Sequence, residues 1–151
     1  MENFRAGLSI TSWPIVVTVK AADRRPSDVR ETIMRYLLLI YSEETTAAPD
    51  PAEAEQVMNE YWAYTNAITQ AGASSGGEAL QDSKTATTVR VKDGERVVTD
   101  GPFAETREVL GGYYLIDVPD LDAAIDWAAK CPGAKYGSVE VRPIMEFDSA
   151  S

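Results

Sequence analysis

The stretch that most constrains the fold is a tight turn followed, after a pair of glycines, by an apolar strand. The turn is the sequence Asp-Gly-Pro-Phe at residues 100–103. Its glycine accepts a positive φ, and its proline fixes the next φ at about −65°. Two glycines at residues 111–112 then introduce residues 113–118, an apolar run that predicts a buried strand.

The chain before this turn contains a first strand and a long helix. Residues 35–41 form an apolar run that predicts the strand. Residues 51–71 carry apolar side chains at three- and four-residue steps, which predicts a helix. Asp50 is placed as its N-cap, with proline at the first helical position, and Gly72 as its stop. Residues 74–77 are typical of a loop, and a short strand is expected from Glu78.

The remaining signals complete an alternating order of strands and helices. Asp-Gly at residues 93–94 is the preferred type I′ hairpin turn, and β-branched residues flank it. The further predicted elements are strands at 85–91, 96–99 and 138–144 and a helix at 121–130. The order β-α-β-hairpin-β-α-β predicts an α+β fold of the ferredoxin-like type, with two helices on one face of an antiparallel sheet and an extra hairpin.

The Asp-Gly-Pro-Phe turn also carries a family resemblance. It resembles the DGPF motif of the YCII-related (DGPF-domain) proteins, and the similarity extends over residues 34–147. The resemblance implies a ferredoxin-like domain that forms a homodimer through its uncovered sheet face, as a dimeric α+β barrel. An uncovered face with leucine, tyrosine and valine beside its charges also favours a homodimer.

The resemblance divides the chain into three parts, because domains of this kind begin at a methionine such as Met34. Residues 1–33 are interpreted as a poorly ordered appendage or an over-extended gene start, and residues 148–151 as a tail. The alternative for the N-terminal part is an additional strand at residues 15–19.

Composition excludes several classes of function. The net charge of −10 disfavours binding to nucleic acid and to anionic membranes, since both carry negative charge. The chain has no histidine and one cysteine, Cys131, so we expect no metal site and no disulfide. A single free thiol suits a cytoplasmic protein. No cofactor-binding loop is expected, because the glycine pair lacks the spacing of a phosphate cradle.

Alternation along two strands predicts a charged cleft on the uncovered face. If Val89 and Val91 of the hairpin and the valines of the last strand pack on the helices, Arg90, Glu140 and Arg142 lie on the opposite face. With Tyr113 they could bind a small anionic ligand, since arginine matches a carboxylate bidentately. The alternative is a ladder of ion pairs that only solvates the face or sets the dimer register.

The sequence is compatible with two roles for Asp100. Its carboxylate can accept hydrogen bonds from the backbone of its own turn. It can also serve as a catalytic general base, buried near Phe103. The family resemblance implies a proposed histidine–aspartate pair, of which this chain retains only the acidic half, assigned here to Asp100.

Two functions follow from these observations and the resemblance. The first is a small-molecule-binding or regulatory domain, because DGPF-domain proteins are often encoded beside, or joined to, extracytoplasmic-function sigma factors, which are then possible partners. The alternative is a cofactor-free enzyme of the isomerase or lyase type, which acts on a small carboxylate with Asp100 as base.

Overall fold

The computed structural model of the chain describes residues 33–147. The interpretations of the N-terminal segment, including the strand at 15–19, and of the tail at 148–151 therefore lie outside the described residues. In chain order the elements are β1 (Met34–Glu43), α1 (Pro51–Gln70), β2 (Ser74–Ala79), a 3-10 turn (Ser83–Thr85), β3 (Thr87–Lys92), β4 (Glu95–Asp100), β5 (Glu108–Val118), α2 (Leu121–Lys130), α3 (Gly133–Tyr136) and β6 (Ser138–Pro143).

Four of the strands form one antiparallel sheet in the order β2-β5-β1-β6. This order follows from two crossovers through helices that start on the central strands β1 and β5 and end on the edge strands. The ferredoxin-like α+β fold predicted from the sequence is confirmed. The sheet therefore has a helix-covered face and an open face, and successive residues of each strand point to one and then the other.

The long helix α1 begins and ends where its capping residues predict. The Asp50 carboxylate accepts hydrogen bonds from the backbone N–H of Ala52, at 2.8 Å, and of Glu53, at 3.4 Å. At the other end Gly72 has a φ of +70°. The N–H of the following residue, Ala73, donates to the carbonyl of Ile68 at 3.1 Å, which closes a Schellman motif.

The core lies between the helix-covered face and the helices. Tyr36, Leu38 and Ile40 of β1 are buried there, together with Ile116 and Val118 of β5. The helices and the segments that follow them add Tyr64, Ile68, Ala73, Ala124, Ala128 and Cys131. Val139 and Val141 of β6 pack against this cluster, so the alternation predicted for the last strand is confirmed.

Residues 74–77, interpreted as a loop, belong to strand β2 instead. Gly77 lies opposite Tyr114, and a side chain there would collide with the backbone, since its Cβ would lie 2.6 Å from the Tyr113 carbonyl oxygen. The segment can pair with β5 because its side chains are small, although serine and glycine have no preference for strands. Tertiary pairing with β5 determines its structure.

The hairpin has the predicted turn, but its strands do not join the main sheet as predicted. Asp93 and Gly94 have φ values of 52° and 82°, as a type I′ turn requires. Strands β3 and β4 nevertheless form a two-stranded sheet separate from the four-stranded one. Val89 and Val91 are 57% and 72% exposed, so the expectation that they pack on the helices is wrong.

Candidate functional site

A cleft of about 1060 Å³ opens between the first half of α1 and the helix-covered face of the sheet. The strand side is formed by β2, β5 and the end of β1. The helix side is formed by the α1 residues Glu53, Ala54, Gln56, Val57, Met58, Tyr61, Trp62 and Thr65. The cleft lies at the end of the helix-covered face where the strands carry Gly77, Ala79 and Gly112. Beyond it, Tyr64 and Ile68 of the same helix are buried in the core.

The cleft exists because its floor has almost no side chains. In the register of the sheet, Ala79 lies opposite Gly112, which in turn lies opposite Ile40, so this row carries one large side chain. Gly77 stands beside it on the same face. At Gly112 a Cβ would lie 2.9 Å from the Glu78 carbonyl oxygen, so the two strands approach closely only as long as this position is glycine.

Large apolar side chains of α1 face this floor and stay partly in solvent. Val57, Met58, Tyr61 and Trp62 line the cleft at helical spacing. Met58 is 58% exposed and Trp62 is 62% exposed. Exposed apolar side chains that gather along a concave surface are typical of binding sites. None of the site residues predicted from the sequence lies on α1, so this site was not predicted.

Two tyrosine hydroxyls near the cleft are held by the protein. Tyr64 donates to the carbonyl oxygen of Trp127 at 2.9 Å, and the Tyr114 hydroxyl lies 2.8 Å from that of Thr65. The rings of Tyr64 and Tyr114 meet edge to face, with centroids 5.2 Å apart. Burial raises the pKa of both hydroxyls, so both stay protonated at neutral pH.

Tyr61 differs from these two tyrosines. Its side chain lines the cleft, and its hydroxyl makes no hydrogen bond among the residues that the structure describes. Burial, with a smaller contribution from Cys131, raises its pKa to about 12. The hydroxyl is therefore a protonated donor without a partner in the described part of the chain.

The carboxylate of Glu60, beside the cleft, and the ammonium of Lys135, in its lining, are already paired. Glu60 accepts hydrogen bonds from Gln56 at 3.2 Å, from the Lys135 ammonium at 3.1 Å and from the Tyr136 hydroxyl at 3.1 Å. The Gln56 and Lys135 hydrogen bonds lower the pKa of the Glu60 carboxyl. Lys135 is the cationic side chain of the cleft lining, and its charge is directed to Glu60.

Three of the residues predicted for the site lie together on the open face. Leu39 of β1 is paired with Glu140 on one side and with Tyr113 on the other, and Arg142 lies two residues along β6. The Arg142 Nε donates to Glu140 Oε1 at 2.7 Å. This contact corresponds to the ion-pair alternative, although the pair lies within one strand rather than across two. Tyr113 also contributes to the cleft lining.

Arg90 is not on that face. It lies in β3, opposite Val97, in the separate hairpin, and it is exposed. The expected arrangement of Arg90 beside Glu140 and Arg142 is therefore wrong, because the hairpin does not join the four-stranded sheet. Alternation within a strand predicts which residues share a face of that strand, but not which sheet the strand enters.

Asp100 ends β4 at the surface. It is exposed and Phe103 is 78% exposed, so the predicted burial of the carboxylate is not found. Its carboxylate also makes no hydrogen bond among the described residues. The turn is held instead by Gly101, with a φ of +94°, whose N–H donates to the Ala86 carbonyl at 2.7 Å and whose carbonyl accepts from the Thr88 hydroxyl at 2.8 Å.

Cys131 lies in the core and takes no part in the cleft. It is 2% exposed, and burial raises the pKa of its thiol. Within residues 33–147 no group of three or more histidine, cysteine, aspartate or glutamate side chains is arranged to hold a metal ion. None of the helices in the same residues is long and apolar enough to cross a membrane.

Comparison with known proteins agrees with the fold. The model of the YCII-related domain family matches residues 34–148. An uncharacterized protein of Rhizobium meliloti (strain 1021) is 41% identical over 117 residues, which cover 76% of this chain and 94% of that relative. The matched region contains the sheet, the helices and the cleft described above. The chain therefore belongs to the family of proteins with a YCII-related domain.

Proposed function

We propose that this protein binds a small organic molecule in the cleft between α1 and the sheet. The observation that carries the proposal is the cleft itself, about 1060 Å³ in volume, with exposed Trp62 and Met58 above a floor of glycine. Ligand sites are typically concave and apolar and have volumes of roughly 300–1000 Å³. An aromatic ligand would displace water from these side chains and bury apolar surface that is exposed in the protein alone.

Binding is better supported than catalysis. Asp100, the base of the enzymatic alternative, is not among the residues that line the cleft. Burial raises the pKa of the Tyr61 and Tyr114 hydroxyls in the lining, so these two are donors rather than bases. A cofactor-free isomerase or lyase that uses Asp100, and an association with a sigma factor, stay predictions that no contact described here favours.

A homodimer through the open face belongs to the same proposal. Leu37 and Leu39 of β1 lie opposite Leu115 and Tyr113 of β5 on that face, and all four are half-buried. They form a continuous apolar area on the two central strands, flanked by charges on the edge strands. A second copy of the chain would cover this area.

The test is a thermal-shift screen of small neutral, cationic and anionic aromatic compounds on matched variants. Ala54 lines the cleft and Ala63 lies outside it on the same helix, and both are exposed. Ala54→Leu narrows the cleft, whereas Ala63→Leu makes the same change elsewhere at little cost in helix propensity. Trp62→Ala removes the exposed ring.

A ligand at about 100 times its Kd stabilises the folded protein by about 2.7 kcal/mol, which is several degrees in Tm. We expect this shift in the wild type and in Ala63→Leu, and a loss or strong reduction in Ala54→Leu. In Trp62→Ala we expect binding to weaken by about fivefold. A compound that stabilises all four proteins equally binds elsewhere, and such a result for every active compound would disprove the cleft as the site.

A further inference from the structure

The hydroxyl of Tyr61 stands at the inner side of the cleft, next to the start of α3. A Cβ at Gly133 would lie 3.1 Å from the Tyr61 oxygen, so the absence of a side chain at Gly133 leaves room for the phenol. Within residues 33–147 the oxygen has no hydrogen-bond partner, and it is not fully buried, unlike the unpartnered Oδ1 of Asp117. A donor in this state is satisfied by water or by a ligand.

Two polar groups of the cleft lining, an ammonium and a hydroxyl, are engaged. The Lys135 ammonium donates to Glu60, and so does the Tyr136 hydroxyl. The backbone N–H groups of Ala52 and Glu53 at the start of α1 donate to the Asp50 carboxylate, so this helix terminus has no free donor there for an anion.

The side chains of α1 also disfavour an anionic ligand, since the helix carries three glutamates and no lysine or arginine. A carboxylate ligand would therefore enter a site with no unpaired cation among the described residues. A neutral acceptor would avoid the free-energy cost of burying an unpaired charge.

On the basis of the proposed function, we infer that the ligand is a neutral aromatic compound with a carbonyl oxygen, and that the Tyr61 hydroxyl donates the hydrogen bond that orients it. The ring of such a compound lies against Trp62 and the glycine floor, and its oxygen points towards Tyr61. The hydroxyl serves as a donor because burial keeps its pKa near 12, well above neutral pH. A neutral ligand also agrees with the lack of an unpaired cation in the lining.

The experiment uses three probes of similar size: acetophenone, ethylbenzene and benzoate. Acetophenone has the carbonyl acceptor, ethylbenzene lacks it, and benzoate adds a negative charge. Their Kd values are measured by ligand-observed NMR on the full-length chain. The variants are Tyr61→Phe, which removes the unpartnered hydroxyl, and Tyr136→Phe, which removes a cleft hydroxyl that is already bound to Glu60.

We expect acetophenone to bind the wild type more tightly than ethylbenzene or benzoate. Tyr61→Phe weakens acetophenone binding by about threefold to tenfold, as the loss of one hydrogen bond implies, and leaves ethylbenzene unchanged. Tyr136→Phe changes neither. The Tm of Tyr61→Phe stays within about 1 °C of the wild type, because the hydroxyl has no partner to lose among the described residues.

The inference is overturned if Tyr61→Phe weakens both neutral probes equally, if it weakens neither, or if benzoate binds best. It is also overturned if the wild type binds no probe. In each of these cases the comparison of Ala54→Leu with Ala63→Leu still decides whether the cleft is a ligand site, so the two proposals fail separately.

Discussion

The two faces of the same sheet differ in burial although their central strand β1 is apolar on both. In β1, Leu38 points to the helices and is fully buried, whereas its neighbours Leu37 and Leu39 point to the open face and are half-buried. The helix-covered face is closed by Tyr64 and Ile68 at one end and stays open as a cleft at the other. Whether a region of the sheet is buried or stays open therefore depends on the size of its side chains and on whether a helix packs over it, rather than on hydrophobicity alone.

The largest expected effect separates the two faces directly. Leu38→Ala should lower the free energy of unfolding by about 3 kcal/mol, because a fully buried leucine is lost and a cavity remains. Leu39→Ala should cost the isolated chain only about 1 kcal/mol, since its side chain is half-exposed. Urea unfolding of both variants measures the difference.

The same pair tests the homodimer. If a second copy covers the open face, the cost of Leu39→Ala rises with protein concentration, and light scattering shows a dimer that the variant weakens. The cost of Leu38→Ala is then independent of concentration to a first approximation. Monomer mass for the wild type at micromolar concentration would remove the dimer and leave the two faces different only in their helices.

The next effect concerns the floor of the cleft. Gly112→Ala should cost about 2 kcal/mol, because its Cβ would lie 2.9 Å from the Glu78 carbonyl oxygen, which β2 can relieve only by moving away from β5. The neighbouring Gly111→Ala serves as the control. Its nearest atom outside the adjacent residues is the Ile40 carbonyl oxygen at 3.9 Å, so we expect a change within about 0.5 kcal/mol. Equal effects of the two substitutions would show that the strand spacing does not depend on Gly112.

Local signals predicted the parts of the fold that local chemistry determines. Asp50 and Gly72 mark the ends of α1, and Asp93-Gly94 marks the hairpin turn, because capping and positive φ are properties of a few adjacent residues. The alternation of β6 likewise predicted that Glu140 and Arg142 lie on the open face.

The features that the sequence did not reveal depend on distant contacts or on missing atoms. Arg90 was assigned to the main sheet because its strand alternates, but alternation is the same in a free hairpin. The cleft depends on glycines of β2 and β5 that lie opposite Met58 and Trp62 of α1, and no single segment contains that pattern. Apolar residues at helical spacing predict a buried stripe, and only the empty floor leaves part of that stripe exposed.

The last expected effect appears only at high pH and concerns the tyrosines around the cleft. Burial raises the pKa of Tyr61 to about 12 and also raises the pKa values of Tyr64 and Tyr114. In the unfolded chain these phenols ionise near pH 10. Above that pH the unfolded state binds fewer protons than the folded state, so the free energy of unfolding falls as the pH rises from about 10 to 12, while below pH 9 it is unaffected.

Phenolate absorbance measures this effect directly. The chain has seven tyrosines, and in strong denaturant all of them should ionise in one step. In the folded protein Tyr61, Tyr64 and Tyr114 should ionise at higher pH than in denaturant, and Tyr61→Phe should remove one of these late steps. If the titration curves of the folded and denatured protein coincide, the Tyr61 hydroxyl is accessible to solvent. In that case it has no preference for a ligand over water as a hydrogen-bond partner.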